Sequence, residues 1–413
     1  MSVLHAPTID LDRLLWRIGA LAAIGDTGDG GACRLALTDD DRVGRELVAA
    51  WMDELDMRVE VDAIGNIRGT WPAEAQDPPV MMGSHIDTVR TGGILDGNLG
   101  VLAGLEVVET IAASGRPIER PLCVAVFTDE EGSRYAPDML GSLAFVGGID
   151  LEAALGTVGI DGSVLGEELD RIGFAGAFPC PGPVPHSYVE LHIEQGPVLE
   201  ADGITIGAVT GVQGISWQEV VIRGQSNHAG TTPMSHRHDA GYAAGAVTTF
   251  VRDLALDMGG SQVATVGRIS LSPDLVNVVA NTATLTVDLR NTDGPSLAEA
   301  ERRLSGFLDE LAQAEGVTIE TRSLAEFDPV DFDPDIVDLV ERTAGALGHT
   351  VSRMPSGAGH DAQMLARVCP TGMVFVPSIA GISHNPAEAT DRDDLGAGAA
   401  VLLGVVSELV GLR

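Results

Sequence analysis

Val80-Met81-Met82-Gly83 runs without a break into Ser84-His85-Ile86-Asp87. An apolar run this short, ending abruptly in ligand-type side chains, reads as a strand buried on both faces, as in a parallel sheet between helices. Two further stretches repeat the pattern. Leu122 to Phe127 leads into Thr128-Asp129-Glu130-Glu131-Gly132, and Met373 to Val376 leads, after a short loop, into Ser383-His384-Asn385-Pro386. A fourth run, Tyr188 to Glu194, alternates instead. Val189, Leu191 and Ile193 fall on one face and Glu190, His192 and Glu194 on the other, which predicts a half-buried strand with a polar face. Helices are expected between these strands over Asp39–Leu55 and Gly100–Ala112.

Outward from this frame, Ile215 to Ser323 has a different rhythm. Strand Ser216–Arg223, helix Asp239–Leu256, strands Val263–Leu271 and Ala283–Arg290, helix Ser296–Ala314 and strand Val317–Thr321 give the order βαββαβ. That order describes a ferredoxin-like α+β unit inserted into an α/β domain. Glu326 to Pro334 reads as the return linker. The expected division is 1–214 and 326–413 for the two parts of the α/β domain, and 215–325 for the insertion. A chain of 413 residues is long enough for two cores.

Composition narrows the chemistry. The formal net charge is −35, and all 25 cationic residues are arginine. Without lysine there is no Walker A phosphate loop and no Schiff base. Such a charge disfavours nucleic acid and anionic membranes as partners. Met1 to Gly30 lacks the cationic-then-apolar layout of a leader, and no apolar run approaches the ~20 residues of a membrane span. Cys33, Cys123, Cys180 and Cys369 are scattered, as expected of a reduced, cytoplasmic protein.

The chemistry-bearing residues converge on one end of the sheet. His85, Glu131, His192 and His384 belong to four separate strands, and Asp96 sits in the sharply turning stretch Gly92-Gly93-Ile94-Leu95-Asp96-Gly97. A single histidine at a strand end is commonly just hydrogen-bonded. Several strands delivering His or Glu to the same edge have no such ordinary cause. Three imidazoles and two carboxylates suit Zn²⁺, Mn²⁺, Co²⁺ or Ni²⁺, and five ligands exceed what one tetrahedral zinc uses.

Gly83-Ser84-His85-Ile86-Asp87-Thr88-Val89, the Gly92–Gly97 stretch and Thr128-Asp129-Glu130-Glu131-Gly132 together resemble the dinuclear metal signature of the aminoacylase/carboxypeptidase superfamily. Glu190-Leu191-His192-Ile193-Glu194-Gln195-Gly196-Pro197, Gly224 to Pro233 and Ser356 to Ala362 resemble its amidase/hydantoinase/carbamoylase branch. That branch holds N-carbamoyl-L-amino acid hydrolases, allantoate amidohydrolases and β-ureidopropionases. The resemblance runs from about Leu14 to about Leu403.

It implies two divalent cations per chain. Asp96 would bridge them, His85 and His192 would complete one site, and Glu131 and His384 the other. Asp87 would brace a ligand imidazole, and Glu130 would be the general base. His228 would steady the oxyanion, and Gln195, His228, Asn277 and Arg290 would contact a carboxylate-bearing amide or ureido substrate. His360 is a further contact or a loop-stabilising group, and Arg290 is alternatively a salt bridge to Asp288. The inserted domain would act as lid and homodimer interface, carrying His228, Asn277 and Arg290 to the neighbouring subunit. Two positions depart from the family's usual pattern: Ala280-Asn281 follow Asn277-Val278-Val279, and Ala389 follows Glu388. The alternatives are an aminoacylase or exopeptidase of the same superfamily, or a metal-binding scaffold without activity.

Overall fold

The computed structural model describes residues 7–413, so the first six residues of the stretch read for a leader lie outside it. Its strands are β1 (Arg58–Val61), β2 (Ile67–Trp71), β3 (Val80–His85), β4 (Leu122–Phe127), β5 (Ser187–Ile193), β6 (Ile206–Val212), β7 (Gly214–Arg223), β8 (Val263–Ser272), β9 (Thr282–Asn291), β10 (Thr318–Phe327), β11 (Val330–Asp331), β12 (Val351–Ser356) and β13 (Thr371–Val376). The chain folds into two compact units. One runs up to Gly211 and resumes at Asp331, and the other is Val212–Val330.

The first unit carries a sheet in the order β1-β2-β4-β3-β5-β13-β6-β11, with β12 beside β6. Its centre is parallel: β3 pairs with β4 and β5, and β5 with β13. The β1–β2, β2–β4 and β13–β6 pairs are antiparallel. Every residue of β3, β4, β5 and β13 is buried, which requires cover on both faces. Helices Asn98–Ser114 and Arg392–Leu409 pack on one another and on β3 and β13.

The half-buried strand expected over Tyr188–Glu194 is therefore corrected. β5 is central, with β3 and β13 as neighbours, and its polar face is covered too. Burial is tolerated because the polar groups are satisfied. Glu190 accepts from the Ser84 hydroxyl at 2.6 Å, the Tyr188 hydroxyl at 3.2 Å and the Ala362 amide at 2.9 Å.

The second unit is an antiparallel sheet in the order β10-β7-β9-β8, with helices Ala240–Met258 and Gly294–Glu315. Alternation along β9 sends Ala283, Leu285, Val287 and Leu289 into the core with Val247, Val251 and Leu304. Asp293 caps the second helix, accepting from the Ser296 amide at 2.8 Å, and Gly316 ends it. β10 continues to Phe327 because its partner β7 begins at Gly214, so Glu326 and Phe327 still pair with Ser216 and Ile215. The return linker expected from Glu326 is displaced accordingly.

Candidate active site

Parallel neighbours end at the same edge of a sheet, and β4, β3, β5 and β13 are consecutive. His85 is the last residue of β3, and Glu130 and Glu131 follow β4. His192 is the penultimate residue of β5, and His384 follows β13. Residues spread over almost 300 positions of the chain, Asp96 among them, are thereby gathered into one acidic, largely buried cluster.

The two oxygens of Asp96 face different imidazoles. Its Oδ1 lies 3.1 Å from His192 Nε2 and 3.8 Å from His85 Nε2. Its Oδ2 lies 3.2 Å from His384 Nε2, which is itself 3.3 Å from Glu131 Oε2. Donor atoms around a tetrahedral cation with bonds of roughly 2.0–2.1 Å stand about 3.4 Å apart. The spacings fall around that value. In each of the groups His85–Asp96–His192 and Asp96–Glu131–His384 the donor atoms lie within 4.8 Å of one another. Glu190, His192 and His360 form a third such group. There Glu190 is already saturated by hydrogen bonds, and His360 Nε2 lies 2.9 Å from the Ser356 hydroxyl.

Electrostatics supports the same fit. Burial alone would raise the Asp96 carboxyl, but the hydrogen-bonded imidazoles of His192 and His384 hold it well below the usual range. Burial likewise lowers His192, yet its bond to Asp96 brings it up to about 9. Burial, reinforced by Asp361 and Glu131, pushes Glu130 well above the usual carboxylate range, and burial with Asp96 and Asp87 does the same to Glu131. A buried cluster with this much acid must collect protons or hold cations. The donor set and spacing suit divalent cations.

Asp87 meets the His85 imidazole with its main chain rather than its side chain. Its backbone carbonyl lies 2.9 Å from His85 Nδ1, whereas its carboxylate is 3.9 Å away. The carboxylate instead accepts from the amides of Glu130 and Glu131, each at 3.3 Å. Asp87 thus orients an imidazole with its main chain and the Glu130-Glu131 pair with its side chain. Glu130 Oε2 lies 3.3 Å from His85 Nε2. The Gln195 amide donates to Asp96 Oδ2 at 2.9 Å and to the Ser383 hydroxyl at 3.2 Å. Asp129, Gln195 and His384 all hold positive φ, of 56°, 57° and 53°. Such strain at non-glycine residues concentrates at functional sites.

His360 is buried with its ring centroid 4.4 Å from that of His192, and burial holds it well below the ordinary imidazole value. Within the second unit, His228 and Asn277 are brought side by side. The Ala229 amide donates to the Asn277 carbonyl at 2.9 Å, and His228 bridges Val278. Arg290 lies on the β9 face away from the helices. It donates to both oxygens of Asp288 at 3.0–3.1 Å and sits 5.7 Å from the Trp217 ring centroid. The salt bridge weighed as its alternative role therefore exists. The buried acids Glu190, Asp361 and Glu388 escaped the sequence assignment, although each stands inside or beside a motif quoted above.

A model of peptidase family M20/M25/M40 matches residues 81–408. The chain belongs to this family. Over 401 residues the M20 chain is 39% identical to an N-carbamoyl-L-amino-acid amidohydrolase of Rhizobium meliloti, covering 97% of this chain and 96% of that protein. It is 34% identical to the allantoate amidohydrolase of Escherichia coli strain K12, covering 94% and 95%. The crystal structure of an amidase of the hydantoinase/carbamoylase family from Burkholderia multivorans superposes with a TM-score of 0.94 at 42% identity, covering 98% of each chain. The M20 chain is thus a hydrolase by family. Among its described residues no helix is long and apolar enough to cross a membrane, and its four cysteines are free.

Proposed function

We propose that this chain hydrolyses a linear ureido or amide C–N bond in a small carboxylate-bearing substrate. The favoured class is N-carbamoyl-L-amino acids or related ureido acids such as allantoate and β-ureidopropionate. The observation that carries the reaction type is the bidentate placement of Asp96 between two imidazole groups. Similarity to named N-carbamoyl-L-amino-acid amidohydrolases over nearly the whole chain supports the substrate class.

His85, His192 and Asp96 would hold one divalent cation, and Asp96, Glu131 and His384 a second, Zn²⁺ or Mn²⁺ foremost and Co²⁺ or Ni²⁺ as alternatives. When bound, the pair acidifies water and polarises the scissile carbonyl. Glu130 takes a proton from the attacking water. Its burial raises its affinity for that proton, and it then delivers it to the leaving nitrogen. Asp87 keeps Glu130 and Glu131 aimed through their amides. His228 is assigned the oxyanion, and Gln195, Asn277, Arg290 and His360 the substrate. Arg290, a planar fork, takes the carboxylate by exchanging Asp288 for it. We further assign the enzyme to the cytoplasm as a homodimer joined through the inserted unit.

Ammonia release from a panel of N-carbamoyl amino acids, β-ureidopropionate and allantoate, set beside amino-acid release from N-acyl amino acids and dipeptides, tests the assignment with each metal. Turnover confined to N-acyl amino acids or dipeptides would make the chain an aminoacylase or exopeptidase instead.

A further inference from the structure

Asp96 and His384 stand 288 positions apart, on loops that follow no common strand. One side chain joins the loops. Glu388 Oε1 accepts from the amides of Leu95 and Asp96, at 3.0 and 3.1 Å, and its Oε2 accepts from the Ser383 hydroxyl at 2.8 Å. Ser383 Oγ in turn lies 3.4 Å from Asp96 Oδ2, and the Thr91 hydroxyl donates to the His384 carbonyl at 3.2 Å. Glu388 is only 6% exposed. It is seated against Gly93, where a Cβ would stand 2.1 Å from its Oε1, so the two loops interlock without spare room.

A carboxylate that bridges two cations must present both oxygens at fixed angles, which demands that its backbone be fixed first. We propose that Glu388 is the positioning residue that holds the Asp96 and His384 loops in register, so that both cation sites form together. This rests on the two-cation reading above. Glu388 itself touches neither the imidazoles nor the paired oxygens of Asp96. It acts through the Leu95 and Asp96 amides and through Ser383.

The test uses the full chain, stripped of metal and titrated with Mn²⁺, followed by calorimetry and by the electron paramagnetic resonance of the bound ions. Wild type should show two ions with an exchange-coupled spectrum. Glu388→Ala should bind Mn²⁺ about 10–100-fold more weakly, the usual effect of losing an outer-sphere partner, and should give the signal of isolated ions. Glu388→Gln, which keeps an acceptor for both amides, should restore the coupled spectrum. Glu388→Ala with wild-type affinity and coupling overturns the proposal, even if it melts earlier, because a merely structural role would lower stability alone. Should Glu388→Ala fail to fold, Ser383→Ala serves in its place: weakened coupling supports the proposal and unchanged coupling overturns it. A wild-type chain that holds a single ion defeats the two-cation reading itself and this inference with it.

Discussion

Glu130 carries the heaviest chemical assignment of any single residue. Glu130→Gln keeps its shape and removes only the proton acceptor. The expected outcome is a turnover lower by roughly two to four orders of magnitude with metal content unchanged. Steady-state rates on metal-replete protein, beside its metal count, check this; near-wild-type turnover would remove Glu130 from the proton path. At this scale His85, Glu131 and His384 were legible because each ends or follows a continuous apolar run, His192 because it falls on the polar face of an alternating one, and Asp96 because of its glycine-rich turn. Glu388 and Asp87 show what was not. Glu388 acts on amides almost 300 positions away, and Asp87 orients His85 through its carbonyl. No pattern of side-chain types encodes a backbone hydrogen bond between loops that meet only in three dimensions.

Among the elements, continuous apolar runs correctly marked β3, β4 and β13, and the helix and strand order of the insertion was readable from periodicity. The alternation of β5 misled, since a central strand can alternate when its polar face is satisfied by Ser84, Tyr188 and the Ala362 amide. β1 was missed because Arg-Val-Glu-Val is four residues of no distinctive burial, and helix Arg392–Leu409 because it is apolar nearly all round. The close packing of β3 on β4 yields a sharp prediction. Gly83 has φ +148°, and a Cβ there would stand 2.1 Å from the Ala125 carbonyl oxygen. Gly83→Ala should therefore cost at least about 3 kcal/mol, at the severe end for one substitution, or abolish folding. Denaturant unfolding measures it, and a loss below about 1 kcal/mol would mean that β3 and β4 separate readily.

For the whole molecule, the insertion is expected to work in a dimer. If His228 serves the neighbouring subunit, two inactive variants should rescue one another. Glu130→Gln and His228→Ala chains, mixed after dissociation and reassociated, would form mixed dimers with one site carrying both defects and one carrying neither. Activity should approach about a quarter of wild type, since about half the dimers are mixed and each has one of two sites intact. Absent rescue despite verified subunit exchange would confine His228 to its own chain. The claim on which everything else rests is that Asp96 holds two cations between the imidazoles it faces. Metal quantification on protein reconstituted and desalted under anaerobic conditions tests it most directly. The account predicts two divalent ions per chain, whereas full activity at one ion per chain would contradict it.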